Sequence, residues 1–203
     1  MTIDEIMRSA PVIPVLVLDE ARDWTSLAET FVGAGLPVLE VTLRTPQALE
    51  AIRAMSRVPG AIVGAGTVLN DRQLGEAIDA GSRFIVSPGL TDPLGKAVIG
   101  SGVPFLPGIA NAGDIMRGLD LGLDRFKFFP AEASGGTPAL KALAGPFGNI
   151  RFCPTGGITP ETAPGWLMLD PVLCVGGTWF VKRGDSLATI GDRARAAASL
   201  AMS

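Results

Sequence analysis

Short apolar runs alternate along this chain with longer stretches whose apolar residues recur at helical spacing. Eight short runs stand out: 12–17 (VIPVLV), 38–42 (VLEVT), 62–67 (IVGAGT), 84–88 (FIVSP), 104–108 (PFLPG), 125–129 (RFKFF), 150–155 (IRFCPT) and 172–176 (VLCVG). Most are rich in β-branched or aromatic residues and bounded by Gly or Pro, as strands are. The stretches between them predict helices over 20–32, 46–56, 70–79, 92–100, 111–119, 137–143 and 160–168. A last helix is expected over about 186–201, and a short one over 3–9.

Near-continuous apolar strands separated by helices specify an α/β protein with a parallel sheet covered on its outer face. Eight such units in 203 residues predict a single-domain (β/α)8 TIM barrel over 1–203, at the short end of that fold's range. The N-terminal helix is placed at the bottom of the barrel, closing it. The rival is an open doubly wound sheet, which carries GxGxxG after its first strand. Residues 18–23 read LDEARD there, and Gly64-Ala65-Gly66 lacks the third glycine because Leu69 stands in its place.

Composition narrows the chemistry. There is no His, which removes Ser-His and Cys-His nucleophile pairs, an imidazole base and His-ligated zinc. Proton transfer falls to carboxylates, Lys, hydroxyls or Arg-assisted water. Two Cys, at 153 and 174 and each within an apolar run, form neither a disulfide framework nor a multi-Cys metal site. They read as small core residues of a reduced, cytoplasmic protein. Net charge is −3 and the 17 basic residues are scattered, so no nucleic-acid partner is expected. Mean hydropathy is +0.37. Yet the longest uncharged stretch, 97–113, holds four Gly and two Pro, so no membrane span is expected. Asp4 and Glu5 stand where a signal peptide carries positive charge.

In a barrel, residues at the C-terminal strand ends build the site. Along 38–44 (VLEVTLR), parity puts Glu40, Thr42 and Arg44 on the inward face. Glu40 and Arg44 are then about 13 Å apart at Cα, too far for a simple ion pair. They either address different parts of a ligand or fill the lumen as charges. Lys127 is the one lysine of four that lies inside an apolar strand, with Phe126 and Phe128 outward and Phe129 on its own face. Burial disfavours an ammonium and frees an amine nucleophile for Schiff-base chemistry. The bland reading is a structural lysine paired with a lumen carboxylate, Glu40 among them.

The seventh run continues into Thr155-Gly156-Gly157, and the eighth into Gly176-Gly177-Thr178. Glycine pairs free backbone N–H groups for an anion, and these are the strand ends that hold phosphate in this fold. Thr67 shares the parity of Val63 and Ala65, which is read as inward. Pro88 and Pro107 are read as strand-end turns, Trp166 and Trp179 as packing, and Arg125 as a structural charge near the bottom.

Taken together, LEVTLRT (39–45), VGAGTVLN (63–70), FIVSPGLT (84–91), FKFFPAEASGG (126–136), RFCPTGGIT (151–159) and VLCVGGTW (172–179) resemble the 2-keto-3-deoxy-6-phosphogluconate (KDPG) aldolase family. That family also covers 4-hydroxy-2-oxoglutarate (KHG) aldolase activity. The resemblance implies a class I aldolase of the Entner–Doudoroff pathway, free of metal and cofactor. It would cleave KDPG to pyruvate and glyceraldehyde 3-phosphate. Lys127 would be the Schiff-base lysine and Glu40 the general acid/base. Arg44 and Thr67 would hold the keto-acid carboxylate, with Thr155 near the pyruvyl group and Pro88 and Phe129 lining the site. Gly156, Gly157, Gly177 and Thr178 match the phosphate pocket, and a homotrimer is implied.

The chain departs from many relatives at Ala110-Asn111, where they have Ser-Thr, and at Thr178, where they have Ser. Thr178 keeps the hydroxyl and adds a methyl at the phosphate end, which bears on the balance between phosphorylated and unphosphorylated substrates. The alternatives are an aldolase for the galacto epimer, a phosphosugar isomerase, and a non-catalytic phosphate-binding barrel.

Overall fold

The computed structural model describes residues 1–20 and 23–200. In chain order its elements are α1 (Ile3–Met7), β1 (Val12–Leu16), α2 (Trp24–Gly33), β2 (Val38–Thr42), α3 (Ala48–Met55), β3 (Ile62–Gly66), α4 (Asp71–Asp79), β4 (Ile85–Val86) and α5 (Asp92–Ser101). There follow β5 (Phe105–Leu106), β6 (Gly108–Ile109), α6 (Ala112–Asp120), β7 (Arg125–Phe128), α7 (Gly136–Ala144), β8 (Arg151–Pro154), α8 (Ala163–Leu167), β9 (Val175–Gly177) and α9 (Leu187–Ala198). Residues 21 and 22, within the helix expected over 20–32, and 201, at the end of the last expected helix, lie outside the described residues.

Local chemistry sets the helix starts. Asp23, Asn70, Thr91, Asn111 and Ser186 each accept a hydrogen bond from the backbone N–H three residues on, satisfying a donor the helix leaves free. Each such cap is worth about 1 kcal/mol. Asn111 is one of the two departures noted above; its side chain caps α6.

All registered strand pairs are parallel. Among the described residues they form one sheet in the order β5-β4-β3-β2-β1-β9 and a second in the order β6-β7-β8. The run expected as one strand over 104–108 is two short strands. Pro107, which has no N–H to donate, separates β5 on β4 from β6 on β7. Its carbonyl still accepts from Lys127 N at 2.8 Å. Pro107 therefore interrupts a strand rather than ending it.

Strand alternation sorts the core into two clusters. Leu39, Val41, Val63, Ala65, Phe126, Phe128 and Phe152 pack with helix residues such as Leu27, Phe31, Ile52, Met55 and Trp166. On the other face, Ile13, Val38, Ile62, Phe84, Val86, Leu106, Cys153, Leu173 and Cys174 pack with Ile6 and Met7 of α1. Arg125, at the start of β7, donates to Asp4 of α1, as does Arg8. Burial pushes the Asp4 carboxyl up, but these two arginines outweigh it and hold it below its ordinary value. No helix among the described residues is long and apolar enough to cross a membrane.

Candidate active site

Two residues above the inner apolar cluster, the same strand faces turn polar. Lys127 projects from β7 opposite to Phe126 and Phe128, whose rings are fully buried in the outer cluster. Its Nζ lies 2.9 Å from Oε1 and 3.3 Å from Oε2 of Glu40, which projects from β2. Lys127 is 6% exposed and Glu40 3% exposed. Two charges taken this far out of water persist because each neutralises and hydrogen-bonds the other. The Phe129 ring adds its face, with Nζ 5.4 Å from the ring centre. Glu40 is positioned to take a proton from the amine and to return one, so the pair can free a nucleophile and shuttle protons without any imidazole.

Beside this pair stands Thr155, 3% exposed, just past β8 and bridged to Gly176. Its hydroxyl lies 3.9 Å from Cys153 Sγ and donates weakly to the Cys153 carbonyl at 3.4 Å. The Cys174 thiol is pushed well up, by burial first and by its contact with Cys153 second. It is therefore a packing group, not a nucleophile.

Glycines make the room for these side chains, a signal that sequence reading missed. A Cβ at Gly66 would fall 2.2 Å from Glu40 Oε1, one at Gly64 would fall 2.5 Å from the Phe84 ring, and one at Gly176 would fall 2.2 Å from Thr155 Oγ1. Similarly, Gly177 carries the Trp179 ring, 2.3 Å from where its Cβ would stand. The same glycines correct the parity assigned to Thr67. Val63 and Ala65 belong to the outer, helix-facing cluster, so the inward residues of β3 are Ile62, Gly64 and Gly66. Thr67 stands past the strand end with φ of 59°, the single non-glycine residue at positive φ among the described residues. Strand alternation does not apply to it.

Arg44 departs from parity for the same reason. β2 ends at Thr42, whose hydroxyl donates to Leu16 O at 2.9 Å, and Arg44 lies exposed in the following turn. It makes no hydrogen bond or ion pair among the described residues. Leu43 N donates to Gly66 O, which sets the Arg44 turn beside Thr67. Pro88 is half-buried past β4, and its carbonyl leaves no room for a Cβ at Gly108. Phe129 is half-buried, and its ring would lie 3.3 Å from a Cβ at Gly156.

Gly156 and Gly157 take φ of 104° and 80°, left-handed values that suit glycine. Thr178 is exposed beyond β9. Gly157 and Thr178 share a cleft of about 760 Å³ with Thr159, Trp179, Lys182 and Arg193. Its lining includes Gly157 and Thr178 but not Gly156, Gly177, Lys127 or Glu40. No group of three or more His, Cys, Asp or Glu that could hold a metal ion occurs among the described residues.

Parallel strands packed against helices, with a buried lysine in contact with a carboxylate, define an α/β protein with a candidate active site. The profile of the KDPG and KHG aldolase family matches residues 3–193, and the chain belongs to that family. It is 60% identical over 182 residues to the 2-dehydro-3-deoxy-phosphogluconate aldolase of Zymomonas mobilis, covering 90% of this chain and 88% of that one. It is 52% identical over 179 residues to the KHG/KDPG aldolase of Escherichia coli, covering 88% and 84%. The crystal structure of the Legionella pneumophila KDPG aldolase superposes with a TM-score of 0.94 at 41% identity, covering 98% of this chain and 99% of that one. That structure holds pyruvate as a covalent carbinolamine intermediate.

Proposed function

We propose that this protein is a class I aldolase that reversibly cleaves KDPG to pyruvate and D-glyceraldehyde 3-phosphate, in the Entner–Doudoroff pathway. 4-Hydroxy-2-oxoglutarate, which gives pyruvate and glyoxylate, is its second substrate. The observation that carries this reading is the match to the KDPG and KHG aldolase family over residues 3–193, with Lys127 Nζ buried against Glu40 as the matching amine site. Sequence identity of 52–60% to named aldolases supports the same reaction class.

In the mechanism, Glu40 takes a proton from Lys127, and the free amine adds to the C2 carbonyl of the substrate to give a carbinolamine. Glu40 returns the proton to the leaving hydroxyl, and water departs to leave an iminium. The iminium draws the C3–C4 electron pair as that bond breaks, while Glu40 takes the proton from the C4 hydroxyl. The aldehyde leaves, and the remaining enamine is protonated at C3. Water then adds to C2 and releases pyruvate, restoring the Lys127 amine. One carboxylate acts in both directions, as microscopic reversibility allows.

Arg44 and Thr67 hold the substrate carboxylate, Arg44 through its planar pair of donors. Thr155 stands by the pyruvyl group, and Pro88 and Phe129 form walls. Gly156, Gly157, Gly177 and Thr178 seat the phosphate. For the architecture, the reading is one (β/α)8 barrel in a single domain, with α1 at its bottom. The support is the bridging of Phe152 to Val172 and Thr155 to Gly176, together with the continuity of β5 and β6 through Pro107. For a cytoplasmic homotrimer the support is the family resemblance, the free buried cysteines, and exposed Ile99, Met116 and Leu119 on α5 and α6.

Borohydride reduction in the presence of pyruvate, followed by peptide mass spectrometry, tests the reaction class. An adduct on Lys127 alone is expected. A folded protein that gives no adduct sinks the aldolase reading and favours acid/base isomerase chemistry.

A further inference from the structure

We propose that Glu132 is a positioning residue for the Gly156–Gly157 loop, with Trp166 as its anchor, and so a determinant of affinity for phosphorylated substrates. The inference rests on the phosphate role given above to that loop. Glu132 lies in the turn between β7 and α7, five residues beyond Lys127. The turn is closed by Gly135 N donating to Glu132 O and Gly136 N donating to Ala131 O. It is joined to the glycine loop by Ala131 N to Thr155 O at 2.8 Å and Glu132 N to Gly156 O at 3.0 Å.

The side chain completes the support. A Cβ at Gly157 would fall 2.7 Å from Glu132 Cβ and 2.8 Å from its Cγ, so the loop backbone rests on the Glu132 stem. The stem is held in turn, because the Trp166 indole N–H donates to Glu132 Oε1 at 2.9 Å. Trp166 belongs to α8, the helix that the glycine loop leads into, and is 1% exposed. Its ring lies 6.3 Å from that of Phe128, the neighbour of Lys127. The loop is thereby fixed from below and from its far end by one hydrogen-bonded pair.

A carboxylate beneath an anion seat is electrostatically unhelpful, since its charge opposes the phosphate's. What the arrangement uses is the acceptor oxygen and the methylene stem. Gln keeps both and removes the charge, whereas Ala removes both and leaves a buried indole N–H without a partner.

The test compares KM and kcat for KDPG with those for 4-hydroxy-2-oxoglutarate, which has no phosphate. Glu132→Ala is expected to raise KM for KDPG about five- to tenfold, the loss of roughly one hydrogen bond's worth of ordering, with kcat within about twofold. Trp166→Phe should reproduce that rise. Glu132→Gln should keep KM for KDPG at or below that of the native protein, and none of the three should move KM for the shorter substrate. Equal effects on the two substrates, no KM change in the Ala variant, or a Gln variant that behaves like Ala would overturn the inference.

Two controls separate its failure from that of the reading beneath it. Borohydride trapping with pyruvate should label Lys127 in every variant, which shows a folded site; no label in the native protein would mean that the aldolase reading itself fails. Thr178→Ala, at the facing strand end, should raise KM for KDPG selectively. If Thr178→Ala discriminates between the substrates and Glu132→Ala does not, the inference fails alone. If neither does, the phosphate assignment falls with it.

Discussion

The lower and upper halves of the interior are built by the same strands, two residues apart. β2 places Val38 below and Glu40 above; the β8 run places Cys153 below and Thr155 above; the last run places Cys174 below and Gly176 above. The separation is about 6.6 Å along a strand. The lower layer is apolar and packs against Ile6 and Met7. The upper layer holds a buried ion pair, a hydroxyl and glycines. Rigidity and chemistry are thus divided along the strand direction. The apolar floor removes water from beneath Lys127 and Glu40, which strengthens their interaction and fixes their geometry.

Substitutions that act on one half and not the other probe this division. Lys127→Ala should abolish turnover and the pyruvate adduct. It should also lower stability by about 3–5 kcal/mol, because Glu40 is left as a buried unpaired charge. Denaturant unfolding checks this, and the double variant Lys127→Met with Glu40→Gln should recover most of the stability while staying inactive. Full stability in Lys127→Ala would mean that water reaches Glu40. Glu40→Gln should slow turnover by about 10²-fold or more, and should also cost stability because Lys127 loses its counter-charge; an unchanged rate in steady-state kinetics would assign proton transfer to another group.

Gly66→Ala adds one methyl group against the Glu40 carboxylate and should reduce kcat by about 10- to 100-fold through misplacement alone. The same assay reads it, and native activity would show that Glu40 has freedom to move. The smallest effect belongs to the lower half. Asp4→Asn should remove about 1 kcal/mol at neutral pH, with no change in kcat. Because the folded-state pKa of Asp4 lies below its ordinary value of 3.8, this contribution is complete above that value. It is lost as the pH falls through the folded-state value, so the two unfolding curves should converge in acid. A constant gap across that range would remove the ion pairs as its cause.

Much of this was readable from residues alone. Lys127 was conspicuous because a lysine between two phenylalanines in an apolar strand has no cheap explanation, and the helices followed from the spacing of their apolar residues. The contact between Lys127 and Glu40 was readable only as one of two alternatives. Which residues meet across an interior depends on the stagger of strands that are distant in sequence, here separated by 87 positions. Strand β3 misled for a definite reason. Its larger residues, Val63 and Ala65, suggest an inward face, yet Gly64 and Gly66 occupy that face because Phe84 and Glu40 fill the space. Glu132 gave no sign, since an exposed turn carboxylate is ordinary until its indole partner on α8 is seen.

The interior glycines also bear on how variation in this chain should be interpreted. Position 66 has no side chain of its own but is occupied by the side chain of position 40; 64 is likewise tied to 84, and 176 to 155. Within each pair, a side chain added at one position is therefore felt at the other. Shortening position 40 to Asp does not make room for alanine at 66, because the Cγ that Asp retains would itself lie 2.7 Å from the new Cβ, so the space at 66 is set by the whole stem of residue 40. Paired substitutions at those positions would record shared volume between neighbouring strands, not a chemical partnership.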